Sequence, residues 1–339
     1  MLARHIAIRL AKLLFGWGYA PQRKLSGHKA QPASNRRATG GEAVVITTHA
    51  ARFENLEPVL RGLSAASNRP IFLVINGNFP AGGFSPLKVS SFLHAVNDLP
   101  NVFPICLGDG RGMSFIWNTG IRLSGAESVL LLNDDLDLDL SRVGLFIDEC
   151  FQRLNQADLV IANSSFAHFA VRRELMDKIG WFDEVLLGFG EEDGDFFWRC
   201  MAQDGVQVDT FEMPGVRNVS RVEGFEDVSH GTGKYSFLNR EILNSVLYEP
   251  DEHAPIGIFE SRKRRVRDVY NYYPGETLWR QLHYLNESSD SSAIVAACLD
   301  VLQKLDNFDH QVASPDQISS SNDSCSESYK RANHVSSNE

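Results

Sequence analysis

Leu130-Leu131-Leu132-Asn133-Asp134-Asp135-Leu136-Asp137-Leu138-Asp139-Leu140 sets an apolar run directly against a cluster of carboxylates. The run that begins at Val129 reads as a strand buried on both faces. It ends abruptly in four Asp within six residues. In an open α/β sheet, ligands gather beyond the carboxyl ends of the strands. Asp side chains at such an end suit a divalent cation carrying a phosphorylated ligand. The competing reading is a solvated acidic turn.

Working outward, strands and helices alternate. Ala43–Thr48, Pro70–Ile75, Asn101–Leu107 and 128–132 have strand character. Helical spacing marks Phe53–Ala66, Leu87–Val96, Met113–Leu123 and Val143–Leu154. This alternation predicts a parallel sheet with right-handed crossovers. Further strands are expected at Ala157–Ala162, Phe166–Val171 and Val206–Phe211, and helices at Arg172–Ile179, Glu191–Gln203 and Tyr235–Tyr248. Gly180–Gly190 and Gly215–Gly233 read as loops. Four regions follow: residues 1–41, a globular domain over 42–250, a helical extension over 251–305, and a Ser/Asn/Asp-rich tail over 306–339 expected to be disordered.

The 339 residues carry a net charge of −10, which argues against a nucleic-acid partner for the chain as a whole. Five scattered cysteines contain no Cys-x-x-Cys pair, and so point to a reducing compartment rather than a disulfide framework or structural zinc. Up to Gly41 there is no acidic residue, and Leu2, Ile6, Leu10, Leu13, Leu14 and Trp17 recur at helical spacing among Arg4, Arg9 and Lys12. A basic amphipathic helix of this kind suits an anionic membrane surface, and the alternative is packing on the protein body. The expected location is cytoplasmic, on the inner face of the cytoplasmic membrane. The basic run Arg262-Lys263-Arg264-Arg265-Val266-Arg267 can pair with diphosphate or anionic lipid, or form a solvated helix face.

From Glu42 to Arg240 the chain resembles a family-two glycosyltransferase of the GT-A fold. The resemblance rests on motifs in a fixed order: Ile46-Thr47-Thr48-His49 with Arg52-Phe53-Glu54-Asn55, Val74-Ile75-Asn76-Gly77-Asn78, Gly112 through Asn118-Thr119-Gly120-Ile121, Leu132-Asn133-Asp134-Asp135, Gly180-Trp181-Phe182-Asp183-Glu184, and Gly188-Phe189-Gly190-Glu191-Glu192-Asp193-Gly194-Asp195. It implies an α/β, Rossmann-like, mostly parallel sheet flanked by helices. The implied reaction moves a sugar from a nucleotide diphosphate, UDP- or dTDP-linked, to a glycan or lipid-linked acceptor with inversion. Mn2+ or Mg2+ would neutralise charge on the leaving diphosphate.

Carried onto this chain, the resemblance makes Asp135 the metal ligand, with Asp137 in reserve and Asp134 on ribose or metal. Asn133 departs from the usual first Asp. Thr48, Arg52 and Asn76 would meet the nucleotide, although Asn76-Gly77 is also simply a good turn. Arg111 and Asn118 would lie near diphosphate or ribose, and Trp117 would pack beneath. Asp193, or else Glu192, would accept the proton of the acceptor hydroxyl. Asp195 would orient the helix, and helix capping is the competing role for all the acids from Glu191 to Asp195. Trp181, Asp183 and Gly190 would face the acceptor. His230, in Val228-Ser229-His230-Gly231, would add a metal ligand or stay solvated. A sugar-nucleotidyl transferase is disfavoured because Thr47–Asn55 lacks its Gly-rich basic signature. A non-catalytic GT-A-like scaffold or glycan-binding module remains the alternative.

Overall fold

The computed structural model describes residues 41–79, 82–218 and 238–249, together with Arg265, Val269, Ala293, Ala296 and Asp300. The N-terminal helix, His230, the 306–339 tail and most of the 251–305 region lie outside the described residues. Seven strands form one sheet: β1 (Glu42–Thr48), β2 (Ile71–Ile75), β3 (Val102–Cys106), β4 (Ser128–Asn133), β6 (Leu159–Ala162), β7 (His168–Arg172) and β8 (Val208–Phe211). Their order is β3-β2-β1-β4-β7-β6-β8. A separate ribbon pairs β5 (Leu136–Leu138) with β9 (Val216–Asn218).

The apolar strands are buried on both sides because helices cover both faces. Val44 and Ile46 of β1 point with Leu130 and Leu132 of β4 into one core, shared with α1 (Phe53–Ala66), α2 (Pro86–Ala95) and α4 (Val143–Leu154). The intervening residues Ala43, Val45, Val129 and Leu131 point into the other, with α3 (Met113–Ser124), α5 (Arg173–Ile179) and α6 (Glu192–Ala202). This is the two-residue alternation of a pleated strand. Trp117 packs edge-on to Phe182 at 4.8 Å and to Phe169 at 5.6 Å, in the packing role expected of it.

One strand departs from the all-parallel pattern of strand–helix alternation. β7 runs antiparallel to both β4 and β6. No helix separates β6 from β7, and a parallel crossover needs a dozen or more residues. Asn163 and Ser164 instead turn the chain back with φ of 50° and 53°.

The β5–β9 ribbon was not expected. It takes in part of the acidic stretch quoted above, because Leu136-Asp137-Leu138 alternates as a half-buried strand does. Leu136 and Leu138 turn inward, and Asp137 stands opposite Arg217 of β9 and pairs with it. Asp139 accepts from the Ser141 backbone N–H at 3.0 Å and from its hydroxyl at 2.6 Å.

Candidate active site

Three loops meet at the carboxyl ends of β1, β2 and β4. After β1, Thr48 donates its hydroxyl to Asp134 Oδ2 at 2.8 Å. Burial pushes the Asp134 carboxyl above its usual range, against the hydroxyl of Thr48, the nearby Arg52 guanidinium and the His49 backbone N–H. Thr48 and Arg52, both buried, therefore hold Asp134 beside Asp135. The His49 ring lies edge-on to Phe79 at 5.4 Å. Burial and then Arg52 push its pKa down to about 4, with the Asp135 charge pulling weakly the other way.

In the second loop Asn76, expected at the nucleotide, is bonded within the fold. Its amide oxygen accepts from Gly77 N at 3.0 Å and Arg111 N at 2.8 Å, and its Nδ2 donates to Arg111 O at 2.9 Å. Both lone pairs are thereby occupied. Asn76 ties the β2 turn to the 108–111 loop and has no acceptor left for a base. Gly77 is required for the same contact, since a Cβ there would lie 2.4 Å from the Asp109 carbonyl carbon. Arg111 ends up over the Phe115 ring at 5.4 Å, with its guanidinium 3.9 Å from Asp109.

Asn118, expected near diphosphate or ribose, is fully buried. Its Nδ2 donates to Phe182 O and Glu184 Oε1, both at 2.8 Å, and its Oδ1 accepts from Phe182 N at 3.2 Å. The 181–188 segment lies along α3, from Arg122 near the C-terminal end, where that side chain meets Glu184, to Met113, whose N–H reaches Gly188 O at 2.7 Å. Only the Gly188 end approaches the loops described above, where Phe189 lies 6.2 Å from Phe79. Trp181 stands at the far end, stacked by Arg122 at 4.8 Å and Arg173 at 5.4 Å, with its indole N–H on Asp177 at 3.0 Å.

Asp183 is equally remote from solvent. Arg265 bridges it to Asp195, reaching Asp195 Oδ1 at 2.5 Å. Arg199 at 3.0 Å and the Tyr248 hydroxyl at 2.6 Å complete the surroundings of Asp195. Burial pushes both carboxyls up. Asp183, with Arg265 opposing, stays raised, whereas two guanidiniums and a hydroxyl hold Asp195 below its usual range. Asp195 orients α6 as expected, by ion pairing rather than by capping. Asp137, expected as a reserve metal ligand, pairs with Arg217 on the ribbon.

The acids at the start of α6 follow a loop with several residues in the left-handed region. Gly188, Gly190 and Glu191 have φ of 53°, 109° and 75°. Glu192 is buried and accepts from Gly190 N at 2.5 Å. Burial, then the adjacent Asp193, pushes its carboxyl up to about 8. Asp193 is less enclosed and accepts from Gly194 N at 2.8 Å. In the unfolded chain Glu192 ionises near 4.5, so between there and about 8 the folded state holds the extra proton. Stability therefore falls as pH rises through that window. Glu192→Gln is expected to remove this slope and to gain on the wild type as pH rises, measured by denaturant unfolding at a series of pH values.

Sequence reasoning missed Asn239, Arg240 and Tyr248, and it read Arg265 within a basic run for diphosphate, lipid or a solvated helix face, whereas the structure pairs it with buried carboxylates. Asn239 and Arg240 contact the 187–191 loop from 49 to 52 residues away, and Arg265 reaches its carboxylates across 70 and 82. No local pattern signals such partners. Among the described residues no group of three His, Cys, Asp or Glu side chains is arranged to hold a metal ion. Two neighbouring carboxylates, Asp134 and Asp135, do fit the sparse hard-oxygen set that Mg2+ or Mn2+ uses when substrate phosphates supply the remaining ligands.

No family model matches the chain, and neither does any curated protein sequence. Solved structures do resemble it. Glucosyl-3-phosphoglycerate synthase from Mycobacterium tuberculosis, in complex with Mn2+, UDP and glucosyl-3-phosphoglycerate, is 11% identical over 60% of this chain and 80% of its own, at a TM-score of 0.44. S. aureus TarS, residues 1–349, is 15% identical over 50% of this chain and 57% of its own, at 0.37. The mannosyltransferase PcManGT from Pyrobaculum calidifontis, in complex with GDP-Man and Mn2+, is 14% identical over 89% and 85%, at 0.44. The chain's own sheet is mostly parallel and lies between two layers of helices, a Rossmann-like α/β arrangement.

Proposed function

We propose that the chain is a metal-dependent inverting glycosyltransferase that moves a sugar from a nucleoside diphosphate to an acceptor hydroxyl. What supports this reading is contact between the loops that flank two acid pairs. Asp134 and Asp135 close β4, and Glu192 and Asp193 open α6. The contacts of Gly188 with Met113 and of Phe189 with Phe79 join the two halves. Asp135 and Asp134 would hold Mn2+ or Mg2+, which neutralises charge on a departing diphosphate.

The protein's own residues perform the remaining tasks. As the acceptor oxygen bonds to the anomeric carbon and the bond to diphosphate breaks, Asp193 takes the hydroxyl proton. Glu192, buried and pushed up to about 8, already holds a proton at neutral pH and is therefore less available to accept one. Its bond to Gly190 N instead shapes the loop. His49 and Phe79 line the donor side. The setting we infer is surface polysaccharide or glycan assembly at the cytoplasmic membrane face, with the basic N-terminal helix as the lipid contact.

Calorimetric titration with UDP, dTDP and GDP, with and without Mn2+, tests this reading. At least one nucleotide is expected to bind about tenfold or more tightly with Mn2+ than without. A non-catalytic scaffold would show no metal-linked binding of any of the three.

A further inference from the structure

We propose that Asn239 is a positioning residue that holds, through backbone contacts alone, the loop presenting Glu192 and Asp193. Asn239 is fully buried. Its Nδ2 donates to Leu187 O and Gly190 O, each at 2.7 Å, and its Oδ1 accepts from Leu187 N at 2.7 Å. One amide thus spans the loop from before Gly188 to after Phe189. That loop cannot hold its own shape cheaply. Glu191 is a non-glycine residue at φ of 75°, a conformation disfavoured by its Cβ. The neighbouring Arg240 secures it by pairing with the Glu191 carboxylate at 2.6 Å.

The clamp also has a direct route to the acids. Asn239 fixes the Gly190 carbonyl, and the N–H of the same glycine binds the Glu192 carboxyl. On the other side, the Gly188 carbonyl receives the Met113 N–H at the start of α3. A single buried side chain therefore sets both the approach of the loop to the donor half and the direction in which α6 starts. This assignment rests on reading Glu192 and Asp193 as the acid pair that serves the acceptor.

The test is Asn239→Ser, alongside Arg240→Met as a milder release of the same loop. Amide hydrogen exchange over 187–192 is expected to quicken by more than about tenfold in Asn239→Ser, with β1, β4 and α3 unchanged. Release of nucleoside diphosphate from UDP-glucose, GDP-mannose or dTDP-rhamnose, whichever the wild type turns over, is expected to fall about 10- to 100-fold in kcat. Mn2+-linked nucleotide affinity should stay at the wild-type value. Should Asn239→Ser fail to fold, the same localised exchange and a smaller kcat loss in Arg240→Met would carry the assignment. Unchanged exchange over 187–192 in a folded variant overturns the clamp, and a released loop with wild-type kcat overturns the positioning role. If Asp193→Asn keeps full turnover while the Asn239 variant loses it, the acid-pair reading fails and the clamp stands.

Discussion

Replacing Asp193 by Asn is expected to lower sugar transfer by about 10^2- to 10^4-fold, the range over which a positioned proton acceptor contributes. The substitution suits the question because it leaves the fold's own demands intact. An Asn amide oxygen can still accept from Gly194 N, as the Asp193 carboxylate does at 2.8 Å. What is lost is the basic site, together with the charge that helps raise Glu192. Asp135→Asn is the counterpart in the donor half, where loss of a cation contact worth several kcal/mol corresponds to at least about 10^2-fold in rate. The two variants separate by binding. Asp193→Asn should keep Mn2+-linked nucleotide affinity, and Asp135→Asn should lose it. Transfer within a few-fold of wild type in Asp193→Asn would remove the base from this carboxylate.

Arg265→Met is expected to cost about 3–5 kcal/mol of folding stability, read as a shift in denaturant midpoint at constant slope. The reason is asymmetric. The guanidinium and the carboxylates were all desolvated to build the cluster, and removing one cation leaves anions behind in a low-dielectric site. Asp195 would keep Arg199 and the Tyr248 hydroxyl. Among the described residues, Asp183 would keep the Val185 backbone N–H at 3.0 Å and the weaker pull of the Arg199 charge. Most of the loss should therefore come from Asp183, and adding Asp183→Asn should restore part of it, giving a coupling energy of about 0.5–3 kcal/mol. A single variant within 1 kcal/mol of wild type would mean that the cluster is held by its other members.

Periodicity made the scaffold legible. β1 and β4 could be read from unbroken apolar runs because helices cover both faces of the sheet, and α1 and α4 span the residues that helical spacing marked. The antiparallel β7 escaped a rule built on alternating elements, although the shortness of its connection to β6 was visible. The acidic stretch was read for its charge, and its Leu-Asp-Leu alternation, which fixes β5 and gives Asp137 to Arg217, was passed over. Asn76 and Asn118 occupy motif positions, yet Asn76 spends its amide on backbone N–H and C=O groups, and Asn118 on such groups and the Glu184 carboxylate. A carboxylate could accept there but could not donate. That dual capacity explains why an amide stands at both places. Asn239 and Arg265 were beyond reach for another reason: their partners lie far off in sequence, and their value appears only when the chain has closed on itself.

The bridge from Arg265 to Asp183 and Asp195 also bears on the order in which the molecule is made. Arg265 follows those carboxylates by 82 and 70 residues. At translation rates of about 5–20 residues per second, Asp183 precedes its cation by roughly 4–16 s. Through that interval the donor half, whose Asp134 finds Thr48 and Arg52 within residues already made, can settle, while the segment bearing Glu192 and Asp193 lacks one of its buried counter-charges. Synthesis thus makes the half built on β1 and β4 first and supplies the last counter-charge of the acid helix afterwards.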